Sequence, residues 1–185
     1  MINRRQVVQL SAGLLVYPSL RLHAASMTSS TATLPLIQRP IPSSGELIPV
    51  MGMGTSRTFD TEGDAKSLAK LTAVMQALFD GGGRVIDSSP MYGNAETRVG
   101  DVLGAMQNPP PLFAATKVWT TGAERGIAQM EESARRMRVK TFDLIAVHNL
   151  TDWKTQLATL KRWKGEGKVR YIGITTLATW PSSAW

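Results

Sequence analysis

Four polar side chains, each at or just past the end of an apolar run, carry the chemistry this sequence can support. Asp87 ends GGGRVID, Tyr92 lies in SSPMYG, Lys117 follows LFAAT and His148 follows FDLIAV. A phenol keeps its proton until about pH 10, and an ammonium beside it stabilises the phenolate. A carboxylate can hold that ammonium in place and keep it charged, and an imidazole can hydrogen-bond a reacting oxygen. Gathered together, the four make a proton-transfer apparatus. Singly, each has a plainer reading. Tyr92 would be a tyrosine packing a turn, Asp87 a turn cap, Lys117 a solvated loop lysine and His148 a satisfied strand-end histidine. The chemistry therefore depends on whether the fold brings them to one face.

The apolar runs that end in these residues predict that it does. They recur at intervals of about 30 residues with helix-like sequence between them, the rhythm of βα units in a parallel barrel. In such a barrel the carboxyl ends of the strands share one face, where residues distant in sequence converge. LIPVMGMGT is the first expected strand. Asp64 is placed to cap a helix from Ala65 to about Phe79, which Gly81, Gly82 and Gly83 end before RVID, the second strand. That glycine run precedes a strand and lacks a GK[ST] ending, so it reads as a helix stop rather than a phosphate loop. Asn94 is expected to cap a second helix reaching Met106. LFAATKV is the third strand, followed by a helix near Glu124–Arg138. There, Glu131–Arg135 and Glu132–Arg136 stand at the favourable i,i+4 spacing on a solvated face, with Met130, Ala134 and Met137 opposite. FDLIAVH, a helix from Asp152 to Lys164, and VRYIGIT complete the pattern. The strands are apolar on both faces, as helix-covered parallel strands are. The fold class expected is α/β: an incomplete TIM-type (β/α) barrel with about five of the eight units.

Composition narrows the function. The 185 residues are 43% hydrophobic and 19% charged, enough for one domain with a real core. The net charge of +7 favours anionic partners, but Lys and Arg are scattered and no base-reading module is present, so nucleic acid is not expected as a partner. There is no cysteine, and the two histidines have no paired spacing, so neither a disulfide nor a dedicated metal site is expected. At the amino end, Arg4 and Arg5 precede an apolar stretch from Val7 to Tyr17, then Pro18 and the small residues Ala24, Ala25 and Ser26. This is the layout of a secretory signal, similar to twin-arginine signals. Residues 1–26 are read as an export signal engaging export machinery, too short and polar for a stable membrane span. Residues 27–45 are read as a flexible lead-in and residues 46–185 as the partial barrel. A periplasmic or otherwise exported location follows, or a cytoplasmic one if the leader is only an amphipathic helix.

The order and spacing of these features resemble the aldo-keto reductases. The densest match is GGGRVIDSSPMYGNAETRVG, with Asp87, Tyr92 five positions on, then Glu96 and Gly100 on the following helix. Lys117 and His148 complete that family's catalytic tetrad in order. The resemblance covers roughly residues 47–176. It implies reduction of an aldehyde or ketone by hydride transfer, with Tyr92 as general acid, Lys117 its activator, Asp87 the partner of Lys117, and His148 orienting the small carbonyl substrate. It also implies NADPH, bound without a Rossmann glycine motif, with Gly54, Thr55, Asp87, Thr175 and Thr176 at the matching cofactor positions. NADH stays open, because the phosphate-reading region has no match. Asn149 is expected on the substrate side. After the fifth strand the family commonly has Ser-Asn on the nicotinamide amide, where this chain has Thr175 and Thr176.

The resemblance also has gaps. Nothing matches the family's later strands, its nicotinamide-stacking aromatic or its phosphate clamp, and the tail LATWPSSAW has no helical period. A truncated product, from a shifted reading frame, is the expectation. It would have open edges on the first and fifth strands, marginal stability, weak cofactor affinity and no turnover by itself. Two other readings are an assembly module that self-associates through those edges, and a redox-inactive barrel that binds an anionic metabolite.

Overall fold

A computed structural model describes residues 36–106 and 108–176. The expected export signal and the first part of the lead-in lie outside the described residues, as does the tail LATWPSSAW. The chain first makes a small antiparallel hairpin, β1 (Gln38–Pro40) with β2 (Leu47–Pro49). Five parallel strands follow, hydrogen-bonded in chain order: β3 (Gly52–Gly54), β4 (Val85–Asp87), β5 (Phe113–Val118), β6 (Phe142–Val147) and β7 (Val169–Ile174). The intervening helices are α1 (Ala65–Asp80), α2 (Ala95–Ala105), α3 (Ala123–Met137) and α4 (Trp153–Gly165). The architecture is α/β, a partial barrel of five strands. Among the described residues, β3 and β7 each have one neighbour in the sheet.

The helices form where their caps and apolar stripes require. Asp64 accepts hydrogen bonds from the Lys66 and Ser67 amides and so starts α1, which buries Leu71, Met75 and Phe79. Helix α3 buries Met130 and Met137 and stops at Arg138, which adopts the left-handed conformation (φ 56°) usual for a C-terminal cap. Ile86, Val99, Ile145, Val147 and Leu160 fill the layer between sheet and helices, all fully buried.

Four expectations need correction. LIPVMGMGT is not one strand: its first part pairs antiparallel with Gln38–Pro40, and only Gly52–Gly54 joins the parallel sheet. Pro49 has no amide to donate to a ladder, so the run breaks there. By the same pairing, residues 38–45 of the expected lead-in are built into structure. Asn94 occupies the position before α2 but makes no side-chain cap; its backbone is already helical (φ −84°, ψ 0°) and its amide donates to Asp60 Oδ1 at 2.9 Å. On α3, Arg135 pairs with Glu132 rather than Glu131, so Glu132 holds both Arg135 (2.5 Å) and Arg136 (2.8 Å). Hydrogen bonds from these two guanidiniums pull the Glu132 carboxyl down to about 2.

The hairpin is fastened to the far side of the sheet. Glu46, beside β2, accepts from the Tyr171 hydroxyl at 2.6 Å and from Arg170, both on β7. Arg170 also meets Asp143 at 2.5 Å, and Asp143 in turn accepts from the Ala114 amide at 2.7 Å. Since β2 leads directly into β3, this contact links the two outermost strands of a curled sheet. Above it, on the concave side, lies a cavity of about 390 Å³ lined by Ile48, Phe113, Leu144 and Ile172, with Asp87 in its wall.

Candidate functional site

Strand register brings the four residues together. Side chains alternate across a strand, so Phe113, Ala115 and Lys117 share one face of β5 while Ala114, Thr116 and Val118 share the other. Asp87 pairs with Ala115 on β5, and Lys117 pairs with Ala146 on β6. This places Lys117 one same-face step beyond Asp87, near the carboxyl end of the sheet. Its ammonium donates to Asp87 Oδ2 at 2.6 Å and to the Ser88 carbonyl at 2.7 Å. The Lys117 side chain is 6% exposed and that of Asp87 44%, so a buried ammonium is paired with a carboxylate that reaches solvent.

Tyr92 comes from the loop after β4, which is tightly constrained. Its amide donates to the Ser89 carbonyl at 3.0 Å, and its carbonyl accepts from the Ala95 amide at 3.1 Å. Next to it, Gly93 has φ +56°, and a Cβ there would sit 2.3 Å from the Asp60 carboxylate, so a side chain would be strained and would have to displace that carboxylate. The Lys117 ammonium lies 5.1 Å from the centroid of the Tyr92 ring, and His148 meets that ring edge-on with centroids 6.5 Å apart.

His148 opens a single 3₁₀ turn, His148–Leu150, directly after β6. Its Nδ1 lies 2.8 Å from the Thr175 hydroxyl. Burial and then the positive charge of Lys117 push its pKa below the ordinary 6.5, against the opposing pull of Asp87. The imidazole is therefore neutral at neutral pH.

The other expected residues separate into two groups. Gly54 pairs with Asp87 at the strand ends, and a Cβ added there would meet nothing within 4 Å, which leaves open space. Thr55, by contrast, is fully buried: its amide donates to the Asp87 carbonyl at 3.0 Å and its hydroxyl lies 2.9 Å from Ser88 Oγ. Its observed contacts tie strand ends together. Asn149 sits beside His148 in the left-handed conformation (φ 54°), with its amide on the Thr175 hydroxyl at 3.2 Å. Thr175 thus turns its hydroxyl to His148 and Asn149, and Thr176 follows at an exposed position.

Two contributors went unread in the sequence. The Ser88 carbonyl is a backbone atom and has no sequence signal. Glu96 stands out in the matched motif, but its role was not legible: it is wholly buried under β5, accepting from Thr116 (2.6 Å) and Ser133 (3.0 Å). It therefore braces the residue next to Lys117 from the helix side. Burial raises its carboxyl pKa above the ordinary 4.5.

Comparisons with known proteins bear on the family and the fold. Residues 50–182 match the model of the aldo/keto reductase family. The chain is 28% identical over 145 residues to methylglyoxal reductase YeaE of Escherichia coli K12, covering 76% of this chain and 50% of that protein. It is 32% identical over 136 residues to aldehyde reductase YPR1 of Saccharomyces cerevisiae, covering 73% and 39%. Among solved structures, an aldo-keto reductase from Klebsiella pneumoniae in complex with NADPH superposes with a TM-score of 0.63 at 23% identity, covering 78% of this chain and 51% of that one. The chain spans half or less of the length of these two curated relatives.

Proposed function

The chain belongs to the aldo/keto reductase family, and on that footing we propose that its strand-end cluster is the proton-donating half of a carbonyl-reducing site that works with NADPH. The observation that carries this reading is the buried ammonium of Lys117, held by Asp87 and Ser88 and 5.1 Å from the Tyr92 ring. Reduction builds negative charge on the carbonyl oxygen, and a donor must meet it there. Tyr92 supplies the proton and Lys117 stabilises the phenolate left behind, which solvent then reprotonates. Asp87 holds the ammonium in place. The neutral imidazole of His148 orients the carbonyl by a hydrogen bond that involves no net charge.

The residues present fit the nicotinamide end of such a cofactor. The space beside Gly54 is open, and the Asp87 carboxylate keeps a solvent-facing side. The cofactor would supply the hydride; NADPH is favoured because a structural neighbour was crystallised with it.

The test uses the purified chain under single-turnover conditions, with the cofactor at millimolar concentration, so that neither the weak affinity nor the lack of sustained turnover expected of the chain alone masks a single chemical step. Aldehyde-dependent loss of NADPH absorbance should fall at least about 100-fold in Tyr92→Phe, the usual range for a lost general acid. Far-UV circular dichroism should stay unchanged. Absence of any aldehyde-dependent NADPH loss from the wild type at saturation, or equal rates in wild type and Tyr92→Phe, would overturn the reading.

A further inference from the structure

The contact between His148 and Thr175 bears on which nitrogen of the imidazole carries the proton. A neutral imidazole has one N–H and one acceptor nitrogen, and its neighbours select between the two forms. Nδ1 lies 2.8 Å from Thr175 Oγ1, and the same oxygen receives the Asn149 amide at 3.2 Å. An amide can only donate, so one lone pair of the hydroxyl is already engaged. Were Nδ1 protonated as well, the hydroxyl would face two donors, and neither contact would use its own proton. A hydroxyl has two lone pairs and one proton, so it can accept from the amide and still donate; directing that proton to Nδ1 uses it in the 2.8 Å contact and leaves the ring proton on Nε2.

Thr175 is itself well fixed. Its amide donates to the Val147 carbonyl at 2.9 Å and its carbonyl accepts from the Leu150 amide at 3.2 Å, so it is clamped between the end of β6 and the turn that carries His148. The left-handed backbone of Asn149 and Leu150 (φ 54° and 55°) directs the amides of that turn back to Thr175. For a non-glycine residue that conformation is disfavoured, and the surrounding contacts must offset it.

We propose that Thr175 is a positioning residue whose hydroxyl donates to His148 Nδ1, locking the neutral ring as the Nε2–H tautomer so that it meets a substrate oxygen as a hydrogen-bond donor. The inference rests on the carbonyl-reducing reading for its consequence, but not for the lock itself. The opposite tautomer would present a lone pair to the carbonyl oxygen and repel it. A hydroxyl is thus needed at position 175, and serine should serve as well as threonine.

The lock is read without any turnover. Long-range ¹H–¹⁵N spectra of the chain distinguish protonated from unprotonated ring nitrogens, and comparison with His148→Gln separates His148 from His23. The wild type and Thr175→Ser should show a protonated Nε2 and a hydrogen-bonded acceptor Nδ1. Thr175→Val, which keeps the shape but not the hydroxyl, should lose the acceptor signature of Nδ1. A protonated Nδ1 in the wild type would overturn the proposal, and that result needs no variant to fold. A ring spectrum unchanged in Thr175→Val would overturn it equally. In single-turnover reduction, Thr175→Val should lose about tenfold and Thr175→Ser little, the effect of losing one orienting hydrogen bond. If the spectra behave as expected while Tyr92→Phe leaves NADPH oxidation unchanged, the lock stands and the reductase reading falls.

Discussion

Lys117 and Asp87 are unequally exposed, and the two should therefore respond unequally to removal. At 2.6 Å, with an effective dielectric constant of about 20, their gross attraction is about 6 kcal/mol. Most of this offsets the desolvation of the ammonium, whose side chain is 6% exposed. Asp87→Ala leaves that ammonium buried with the Ser88 carbonyl as its remaining close acceptor. For fully buried pairs such a change costs about 3–5 kcal/mol. Because Asp87 is 44% exposed, water can replace part of what it gave, so about 2 kcal/mol is expected here. Lys117→Met differs in kind. It removes the buried charge, keeps most of the side-chain volume and frees a carboxylate that can hydrate. The remaining cost is the unsatisfied Ser88 carbonyl, about 1 kcal/mol, offset by relief of desolvation. The expectation is that Lys117→Met costs no more than about 1 kcal/mol, and that Asp87→Ala adds almost nothing in that background. Urea unfolding of the wild type, both single variants and the double variant, followed by circular dichroism, gives the full cycle. If Lys117→Met proves as costly as Asp87→Ala, or if the two effects simply add, the argument from unequal exposure fails.

Three further outcomes follow from buried or crowded groups. Burial raises the Glu96 carboxyl above 4.5, so the folded chain binds that proton more tightly; the stability it contributes is complete below about pH 4.5 and is lost as pH rises through the folded value. Glu96→Gln should therefore gain on the wild type across that window in urea midpoints, and a pH-independent difference would refute this. Glu46 has the opposite sign: the Tyr171 hydroxyl and then Arg170 lower its carboxyl, so its contribution is present above about pH 4.5 and disappears on acidification. Acid melting curves of Glu46→Gln should lack that component, and curves parallel to the wild type would count against the hairpin tie. Finally, a Cβ at Gly100 would lie 1.9 Å from the Arg136 backbone oxygen, whereas the atoms nearest one at Gly104 belong to the outer part of the Arg138 side chain, which is 56% exposed and has room to shift. Gly100→Ala should cost about 2 kcal/mol or more and Gly104→Ala less than about 0.5, as thermal unfolding would show.

Much of this protein was legible along the chain because the relevant signals are local. Helix α1 follows from a capping aspartate and a 3.6-residue apolar period, and β5 and β6 from short apolar runs between turn residues. The convergence of Asp87, Tyr92, Lys117 and His148 could be read because each stands at or just after a strand end, and parallel strands put those ends on one side. Other features depend on residues that meet only once the sheet curls. Whether Leu47–Pro49 joined the main sheet or folded back on Gln38–Pro40 could not be decided from apolarity, which is the same for either partner. Glu46 and Tyr171 are 125 residues apart, and nothing in their flanking sequence announces a hydrogen bond. The hydroxyl of Thr175 follows a strand, β7, whose sequence reads the same whether that hydroxyl turns to a cofactor or to His148, 27 residues earlier. Period and punctuation are properties of neighbouring residues and survive in one dimension; the partner of a given hydroxyl or carboxylate is a property of three, set when distant strands are brought side by side.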